Sequence, residues 1–424
     1  MAPADAPTVV IGAGLVGICT ALYLQRAGHK VVTVERTGPG DGASGHNGGI
    51  FSIGAVVPTA TGSVLRSIPH MVFDRDSALS LHWSYLPKIA PWLTRFVRSS
   101  GNDTVERISI VLASLLSQSL EAYEPLLRDI PEGLVREGGL LYAYQSDAVF
   151  EASSGDAEMR KRRGIPFEVL DQQDLTAMAP LLGRRFERAL YLRDAPFTPD
   201  PLGMTRALAD VFTANGGEIV IANVQGFVPD GGSVSHLQTS TGRIRAKNVV
   251  VAAGAWSHHL TRMLGDRVLL ETERGYGMTV TDPGFTVPCP VISVEHHVGF
   301  IPTPEGLRVM GISELASLAS EPDVAVFDRL SRAAKKVFPE AELSDADSWM
   351  SYRPSTPDSL PVIDRATRAE NVYYAFGHGH TGFTVAAVTG RLVTSMIAGE
   401  DGGIDLEPFN VRRFARWRRA RAGK

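Results

Sequence analysis

The chain has 424 residues, of which 44% are hydrophobic and 21% charged, and its formal net charge is −4. This balance is ordinary for a globular enzyme and excludes the basic excess of a nucleic-acid-binding protein. The length exceeds what one simple hydrophobic core serves, so we predict two domains. The first residues lack the basic and apolar regions of a signal peptide, and no apolar run reaches membrane-spanning length.

Residues 8–35 carry the strongest signal, because they predict a strand, a glycine turn, a helix and a second strand that ends in an acid. Gly12, Gly14 and Gly17 form G-x-G-x-x-G. The first glycine permits the tight turn, the second admits a pyrophosphate, and the third allows the helix to pack on the strand. Glu35 stands where an acid accepts hydrogen bonds from ribose hydroxyls. The unit predicts dinucleotide binding and does not distinguish FAD from NAD.

The rest of the chain predicts a glycine-rich loop over residues 37–55, which would let backbone approach a flat ligand. Apolar spacing predicts one long helix over 103–129, foreign to a dinucleotide fold. Alternating segments within 268–312 predict an antiparallel sheet in a second domain. Further predicted elements are strands over 138–145 and 248–252, a turn at Gly254, and helices over 201–214, near 322–338 and after Thr384.

Seven segments together resemble the FAD-dependent amine and amino-acid oxidoreductases of the D-amino-acid oxidase superfamily, bacterial D-amino-acid dehydrogenases above all. The segments are GAGLVG with Glu35, GASGHNGG, LPKIAPWLTRF, VVVAAGAWS, RGYGMTV, RPSTPDSLPVID and GHGHTGFT. Glycine and sarcosine oxidases are relatives of the same group. The likeness covers nearly the whole chain, and the last two segments are its most specific marks.

This resemblance implies an α/β fold in which a glutathione-reductase-type, Rossmann-like FAD-binding domain is interleaved with an α+β substrate domain on an antiparallel sheet. We assign residues 1–75, 190–262 and 345–410 to the FAD-binding domain. Residues 76–189 and 263–344 form the substrate domain, and 411–424 form a basic C-terminal tail.

The chain has two cysteines, Cys19 and Cys289, and no C-x-x-C. We therefore expect neither a metal site nor a redox disulfide, and a reducing compartment. Relatives with covalent flavin carry a cysteine near the C-terminal flavin contact, and neither cysteine stands there. The resemblance thus implies non-covalent FAD.

Arg353 is the strongest single candidate for a catalytic site residue. The resemblance assigns it to the substrate carboxylate, which a guanidinium binds through two parallel hydrogen bonds. Flanking prolines restrict the backbone there. The alternative is a structural arginine paired with Asp358 or Asp364.

Residues 377–384 precede a helix whose N-terminus would face the flavin and stabilise negative charge on it. Either His378 or His380 could serve as a general base, or could pack locally. The contacts that we predict with the cofactor here are Gly379, His380, Thr381, Gly382 and Phe383.

The loop at 43–49 should lie against the flavin ring. Ser44, Asn47 and Gly48 are predicted cofactor contacts, and His46 faces either substrate or solvent. Arg36 is predicted to contact the adenosine side, with a solvated arginine as the alternative. Gly254 completes the predicted cofactor contacts.

Tyr276 either lines the substrate pocket or is a core residue. His296 and His297 would point to opposite faces of a strand, which argues against a metal pair. The basic tail, with Phe414 and Trp417, is either a solvated end or a weak contact for an anionic membrane.

The resemblance implies oxidative deamination of a small amino or imino acid by hydride transfer from Cα to flavin N5, and it favours a D-amino acid as the substrate. Quinone or O2 would be the electron acceptor. The alternatives are a glycine- or sarcosine-type oxidase and a flavin subunit of a multi-subunit dehydrogenase. We expect a cytoplasmic enzyme, peripheral to the inner membrane face if the tail binds lipid.

Overall fold

The structure is a computed structural model that describes residues 6–73, 79–81 and 83–415. Its strands are β1 Thr8–Ile11, β2 Val31–Glu35, β3 Leu79–Leu81, β4 Leu140–Tyr144, β5 Glu168–Asp171, β6 Arg188–Leu192, β7 Glu218–Ile221, β8 Val224–Asp230, β9 Ser233–Thr239, β10 Gly242–Arg245, β11 Asn248–Val251, β12 Glu271–Val280, β13 Val291–Ser293, β14 Val298–Pro302, β15 Leu307–Leu315, β16 Asp347–Ser355, β17 Val362–Arg365 and β18 Val372–Phe376.

Its α-helices are α1 Leu15–Arg26, α2 Gly62–Phe73, α3 Leu86–Ser99, α4 Asn102–Leu116, α5 Ser119–Leu127, α6 Asp147–Ala152, α7 Ser154–Arg162, α8 Gln172–Met178, α9 Pro180–Gly183, α10 Pro201–Ala214, α11 Ser257–Met263, α12 Val324–Val337 and α13 Gly382–Ala398. The predicted helix over 201–214 coincides with α10, and the helix predicted near 322–338 is α12.

The first sheet has six strands in the order β17-β18-β11-β1-β2-β7. All neighbours are parallel except β17 and β18. The central strands are short runs of buried valine and isoleucine, as expected of a parallel sheet covered on both faces. Since parallel strands end at the same edge, the carboxyl ends of β1, β2, β11 and β18 meet there, where such sheets bind ligands.

Helices α1 and α13 cross in close contact beside this sheet. A Cβ added to Gly390 of α13 would lie 2.8 Å from the carbonyl carbon of Cys19 in α1. Helices α4 and α5 pack on the same core, and the Tyr123 hydroxyl donates to the Phe383 carbonyl at 2.6 Å. Residues 102–127 therefore pack beside the parallel sheet, although the sequence assigned them to the substrate domain.

The single helix predicted over 103–129 is wrong, because the structure has two helices there. The Ser119 hydroxyl donates to the Leu116 carbonyl at 2.6 Å and so satisfies one of the last carbonyls of α4. The Gln118 carbonyl accepts the first backbone hydrogen bond of α5, from Ala122. Apolar spacing continues through this break, so it could not be seen from the pattern.

The second sheet is built on β16-β12-β15-β14-β13-β4-β6-β5, with β3 added beside β15. It is mixed, since β13 pairs with β4, and β15 with β3, in parallel and the other pairs are antiparallel. Helix α12 covers one face with a buried apolar core. Strand β16 pairs with β12 and so belongs to this second sheet. The boundary predicted at residue 345 had placed β16 in the FAD-binding domain. The predicted α/β fold class with an α+β part is confirmed.

The segment 294–297 is a turn between β13 and β14 and not the strand on which we placed His296 and His297. His297 has a φ of 51°, which a strand does not allow. The His296 ring nitrogen Nε2 lies 2.8 Å from Oε1 of Gln145. Within the described part of the chain, no cluster of three His, Cys, Asp or Glu side chains could hold a metal ion.

The beginning of the predicted basic tail is packed structure. Val411 and Phe414 are buried, and Nε of Arg413 lies 3.1 Å from Oδ2 of Asp358. Trp417 lies outside the described residues. In the part of the chain that the structure describes, one segment, Gly379–Ala398, is long and apolar enough to cross a membrane by composition, but most of it is buried against α1 and the sheet.

Candidate active site

A cavity of about 550 Å³ joins the carboxyl edge of the parallel sheet to β15 and β16 of the second sheet. This volume lies within the range of small-molecule sites, about 300–1,000 Å³. Its lining includes Gly14 and Glu35 at one end, and Arg353 and His380 at the other. The sheet edge thus brings together residues that are far apart in the sequence.

The three glycines of the first turn have the geometry that the motif predicts. A Cβ at Gly12, where φ is 111°, would lie 2.4 Å from the Ala252 carbonyl oxygen, and one at Gly17 would lie 1.9 Å from that of Gly12. A Cβ at Gly14 meets only the Ser44 hydroxyl, at 3.1 Å. The first and third glycines are therefore needed for packing, and the second opens on the cavity.

Side-chain oxygens accept hydrogen bonds from the backbone N–H groups at this turn. The Leu15 N–H donates to the Ser44 hydroxyl at 2.8 Å. Glu35 accepts from the Ala13 N–H at 2.7 Å and from the Arg36 N–H at 2.8 Å. The helix N-terminus, the open glycine and the acid together fit the diphosphate and ribose of a dinucleotide.

Asn47 shapes the glycine-rich loop from within. Its amide nitrogen donates to the carbonyls of Ala43 and Ser44, and its amide oxygen accepts from the Gly49 N–H. The Arg308 guanidinium donates to the Asn47 carbonyl at 3.2 Å and ties the loop to β15. The carboxamide makes three bonds inside the loop, and Asn47 also lines the cavity, so its predicted contact with the cofactor stays a prediction.

The same loop meets the second sheet at Gly48, where a Cβ would lie 2.7 Å from Sδ of Met310. His46 is partly exposed at the rim, with its ring centroid 5.7 Å from that of Trp349. Its Nδ1 lies 3.3 Å from the Gly42 carbonyl oxygen. His46 is not among the residues that line the cavity.

Arg36 stacks on an aromatic ring at the cavity wall. Its guanidinium lies 3.5 Å from the centroid of the Trp256 ring, whose edge meets Tyr352 at 5.3 Å between centroids. Gly254 has a φ of 52° and an open space where a Cβ would stand. The sequence analysis missed Trp256, although its place directly after the turn that ends β11 was a usable signal.

Arg353 lies on the face of β16 that borders the cavity. Its guanidinium crosses over Gly275 of β12, where an added Cβ would lie 2.4 Å from the guanidinium carbon. Nη1 donates to the Ser313 hydroxyl at 3.2 Å. Burial lowers the pKa of Arg353, and the carboxylate of Glu273 opposes that shift. A cation held in this way can receive an anionic ligand from the cavity.

The alternative structural partners of Arg353 are engaged elsewhere. The carboxylate of Asp358 binds Arg413. The carboxylate of Asp364 accepts from the Val411 N–H at 2.8 Å. Among the described residues, neither carboxylate is paired with Arg353.

Glu273 is a site residue that the sequence analysis missed. It stands opposite Arg353 in the β12–β16 register, and its Oε2 lies 2.7 Å from Nε2 of His380. Burial alone would raise the pKa of Glu273, but His380 and Arg353 hold it below its usual range. No local signal marked Glu273, because only the β12–β16 register places it beside Arg353.

Tyr276 points to the opposite face of β12 and does not line the cavity. Its hydroxyl donates to Oε2 of Glu314 at 2.6 Å and accepts from the Asp323 N–H at 3.1 Å, while its ring packs on Phe327. Burial and the neighbouring Glu314 raise the pKa of Tyr276 to about 12. Of the two roles that the sequence left open for Tyr276, the structure shows the core residue and not the catalytic residue of a substrate pocket.

His378 is buried, and its Nε2 lies 3.1 Å from the Thr389 hydroxyl of α13. Burial lowers the pKa of His378 to about 3, so the ring stays neutral near pH 7. An imidazole with so low a proton affinity, bonded to a helix hydroxyl, is not suited to general-base work. This corrects the catalytic role that the sequence left open for His378.

The segment after His378 forms a short 3₁₀ turn that leads into α13, and it lines the cavity with Gly379, His380, Gly382 and Phe383. Thr381 is buried and its hydroxyl donates to the His378 carbonyl, so it supports the turn. The N-terminus of α13 therefore lies at the cavity with the positive end of its dipole.

Both cysteines are buried and neither lines the cavity. Burial raises the pKa of the Cys289 thiol to about 12. Neither thiol is placed to form a bond with a ligand in the cavity.

A family model described as FAD dependent oxidoreductase matches residues 8–396. A "D-amino-acid oxidase" of Bradyrhizobium diazoefficiens is 32% identical over 97% of this chain and 100% of its own length. A "D-amino acid dehydrogenase" of Paramagnetospirillum magneticum is 30% identical over 96% and 98%. The crystal structure of glycine oxidase from Geobacillus kaustophilus aligns with a TM-score of 0.71, at 20% identity, over 96% and 98% of the two chains. The chain belongs to the FAD-dependent oxidoreductase family, and its cofactor is FAD.

Proposed function

We propose that this enzyme oxidises the Cα–N bond of a small amino or imino acid, with a D-amino acid as the preferred substrate, and releases the imine to water. The placement of Arg353 in the cavity carries the proposal. The relatives named D-amino-acid oxidase and D-amino acid dehydrogenase match the chain over nearly its full length and support the same substrate class.

Arg353 is suited to the substrate carboxylate because its guanidinium is partly buried beside the cavity and donates to the Ser313 hydroxyl. A carboxylate can take two parallel hydrogen bonds from the planar guanidinium, and these are stronger than bonds between neutral groups. The substrate would then be oriented by its carboxylate, with Cα and the amine turned into the cavity.

Non-covalent FAD would be held by the parallel-sheet end of the cavity. Gly12, Gly14 and Gly17 with the α1 N-terminus would receive the pyrophosphate, Glu35 the ribose and Arg36 the adenosine side. When bound, FAD supplies a two-electron acceptor, N5, for the hydride that leaves Cα. The N-terminus of α13 would stabilise negative charge on the ring, and the Ser44 and Gly48 loop would border it.

The test is a substrate screen on the purified holoenzyme. D-, L- and N-methyl amino acids are offered with an artificial dye acceptor, and flavin bleaching is followed without oxygen. Bleaching by amino acids, strongest with D-amino acids, is expected. If no amino acid bleaches the bound flavin, the proposed function is wrong for the isolated chain.

The same screen distinguishes the electron acceptors, since the relatives carry the names of both an oxidase and a dehydrogenase. Stoichiometric hydrogen peroxide in air would identify an oxidase that uses O2. Turnover that requires dye or quinone would identify a dehydrogenase. Acid precipitation of the holoenzyme should release yellow flavin into the supernatant, and flavin retained on the denatured chain would contradict non-covalent binding.

A further inference from the structure

His380 and Glu273 form a hydrogen-bonded pair beside the arginine assigned to the substrate carboxylate. Nε2 of His380 lies 2.7 Å from Oε2 of Glu273. The His380 side chain is 45% exposed and lines the cavity, whereas that of Glu273 is 12% exposed and lies behind the cavity wall. One end of the imidazole is thus anchored in the protein, and the ring borders the space where substrate would bind.

The carboxylate determines which nitrogen of the ring carries the proton. Glu273 is ionised at neutral pH, because its pKa lies below the usual range for a glutamate. An ionised carboxylate can only accept a hydrogen bond, so Nε2 carries an N–H, and whenever the ring is neutral Nδ1 keeps the lone pair. The same carboxylate stabilises the positive charge that the ring gains when Nδ1 takes up a proton.

The position of the pair matches the chemistry that an amino acid requires. Amino acids are ammonium ions at neutral pH, and the nitrogen must lose a proton before its lone pair can form the C=N bond. The carboxylate and the ammonium group are attached to the same carbon. Arg353 and His380 both lie against Glu273, so a substrate held by Arg353 brings its nitrogen to the same end of the cavity.

We propose that His380 accepts the ammonium proton of the substrate and that Glu273 is the residue that positions His380 for this step. This inference rests on the proposed function. One N–H bond of the ammonium breaks and the proton bonds to Nδ1. The nitrogen lone pair then forms the C=N bond as Cα–H leaves as hydride, so the substrate is oxidised and FAD reduced. The exposed imidazolium returns its proton to solvent.

The test compares wild-type holoenzyme with His380→Gln over a range of pH. The probe is D-alanine, or the best substrate of the screen, and the readout is kcat/KM for anaerobic flavin bleaching. Without His380 only substrate that is already a free amine can react. We expect a loss of about 100-fold near neutral pH, the usual scale of general-base catalysis. The ratio of wild-type to variant kcat/KM should fall about tenfold with each unit of increasing pH, because the fraction of substrate present as free amine rises about tenfold.

Two further variants make the test specific. Glu273→Gln keeps a hydrogen-bond acceptor for Nε2 and removes the charge. Its loss of kcat/KM should therefore be smaller than that of His380→Gln and should decrease with rising pH in the same way. If the visible spectrum shows that His380→Gln does not retain flavin, Glu273→Gln provides the test instead. His296→Gln is the matched control, since that ring also bonds through Nε2 to a side chain and lies outside the cavity. Its pH profile should equal that of the wild type.

A loss of the same size at every pH would overturn the proposal, because it would mean that His380 and Glu273 only support the fold of the site. Wild-type activity in the His380→Gln variant near neutral pH would also overturn it. Failure of the proposed function is recognised separately, since the wild-type enzyme would then not react with any amino acid.

Discussion

The guanidinium of Arg353 lies across the Cα of Gly275 on the neighbouring strand, where a methyl group would stand 2.4 Å from the guanidinium carbon. The two residues are on adjacent strands, β16 and β12, that pair in antiparallel register. The absence of a side chain at Gly275 therefore creates the space that the cation occupies, and the position of the cation depends on a residue that has no functional group.

Gly275→Ala tests this dependence. The added Cβ must displace the guanidinium, and a misplacement of about 1 Å at a reacting site costs on the order of 100-fold in rate. We expect kcat/KM for the amino acid to fall by about 10- to 100-fold, with flavin content unchanged. Gly155→Ala is the control, because a Cβ at Gly155 meets no atom within 4 Å. Equal activity of the two variants would show that Arg353 does not need its present position.

Arg353→Lys tests the geometry of carboxylate binding, since lysine keeps the charge and loses the planar fork. Loss of a charge-assisted bond costs about 1.5–3 kcal/mol, which corresponds to about a 10- to 150-fold lower kcat/KM. Arg353→Ala should lose more. The measurement compares the amino acid with its decarboxylated amine in flavin-loaded variants. Equal losses on both would contradict the assignment of Arg353 to the carboxylate.

The first βαβ unit and the turn before α13 could be predicted from the sequence because their signals are local. Three glycines at fixed spacing and an acid at a strand end describe one contiguous structure. The helix predicted over 201–214 also has local signals, because Pro201 stands at its first position and the Asp200 side chain caps it.

What the sequence could not show depends on strand register. Glu273 and Tyr276 belong to the same strand, and only the pairing of β12 with β16 decides which one shares a face with Arg353. The sequence left open whether Tyr276 lines the substrate pocket or the core, and in the structure it lies on the α12 face of the strand. In the same way, His378 and His380 are two residues apart, and tertiary contacts with Thr389 and Glu273 separate their roles.

Gly14→Val tests the site proposed for the pyrophosphate. The φ of −67° at Gly14 suits any residue, and a Cβ there meets only the Ser44 hydroxyl, so the protein should still fold. The larger side chain would occupy the space in front of the α1 N-terminus. Overpacking costs about 1–3 kcal/mol, so reconstitution of apoprotein with FAD should show an affinity about 5- to 150-fold lower.

Gly14→Ala provides a graded comparison, because its single methyl group fills less of that space and should weaken FAD binding less than valine does. Flavin fluorescence quenching during titration gives the affinities, and circular dichroism checks the fold. Normal FAD affinity in the valine variant would show that the phosphates bind elsewhere in the cavity.

His378 should make the stability of the protein depend on pH. Burial lowers its pKa to about 3 in the folded state, whereas an exposed histidine in the unfolded chain titrates near 6.5. Between these values the unfolded chain binds more protons, so the contribution of His378 to stability is complete above about pH 6.5 and decreases as the pH falls. The slope in that window approaches about 1.4 kcal/mol per pH unit.

His378→Gln removes this titration and keeps a group that can bond to the Thr389 hydroxyl. Chemical denaturation of flavin-free protein at several values between about pH 7 and pH 5 gives the free energy of unfolding of each variant. The wild-type protein should lose more stability than His378→Gln over this interval, although the variant is less stable at neutral pH. His236→Gln, at a partly buried position of β9 in the small three-stranded sheet, is the control variant. Parallel curves for wild type and His378→Gln would mean that His378 takes up protons equally in the folded and the unfolded chain, which would contradict a neutral, helix-bonded ring in the folded state.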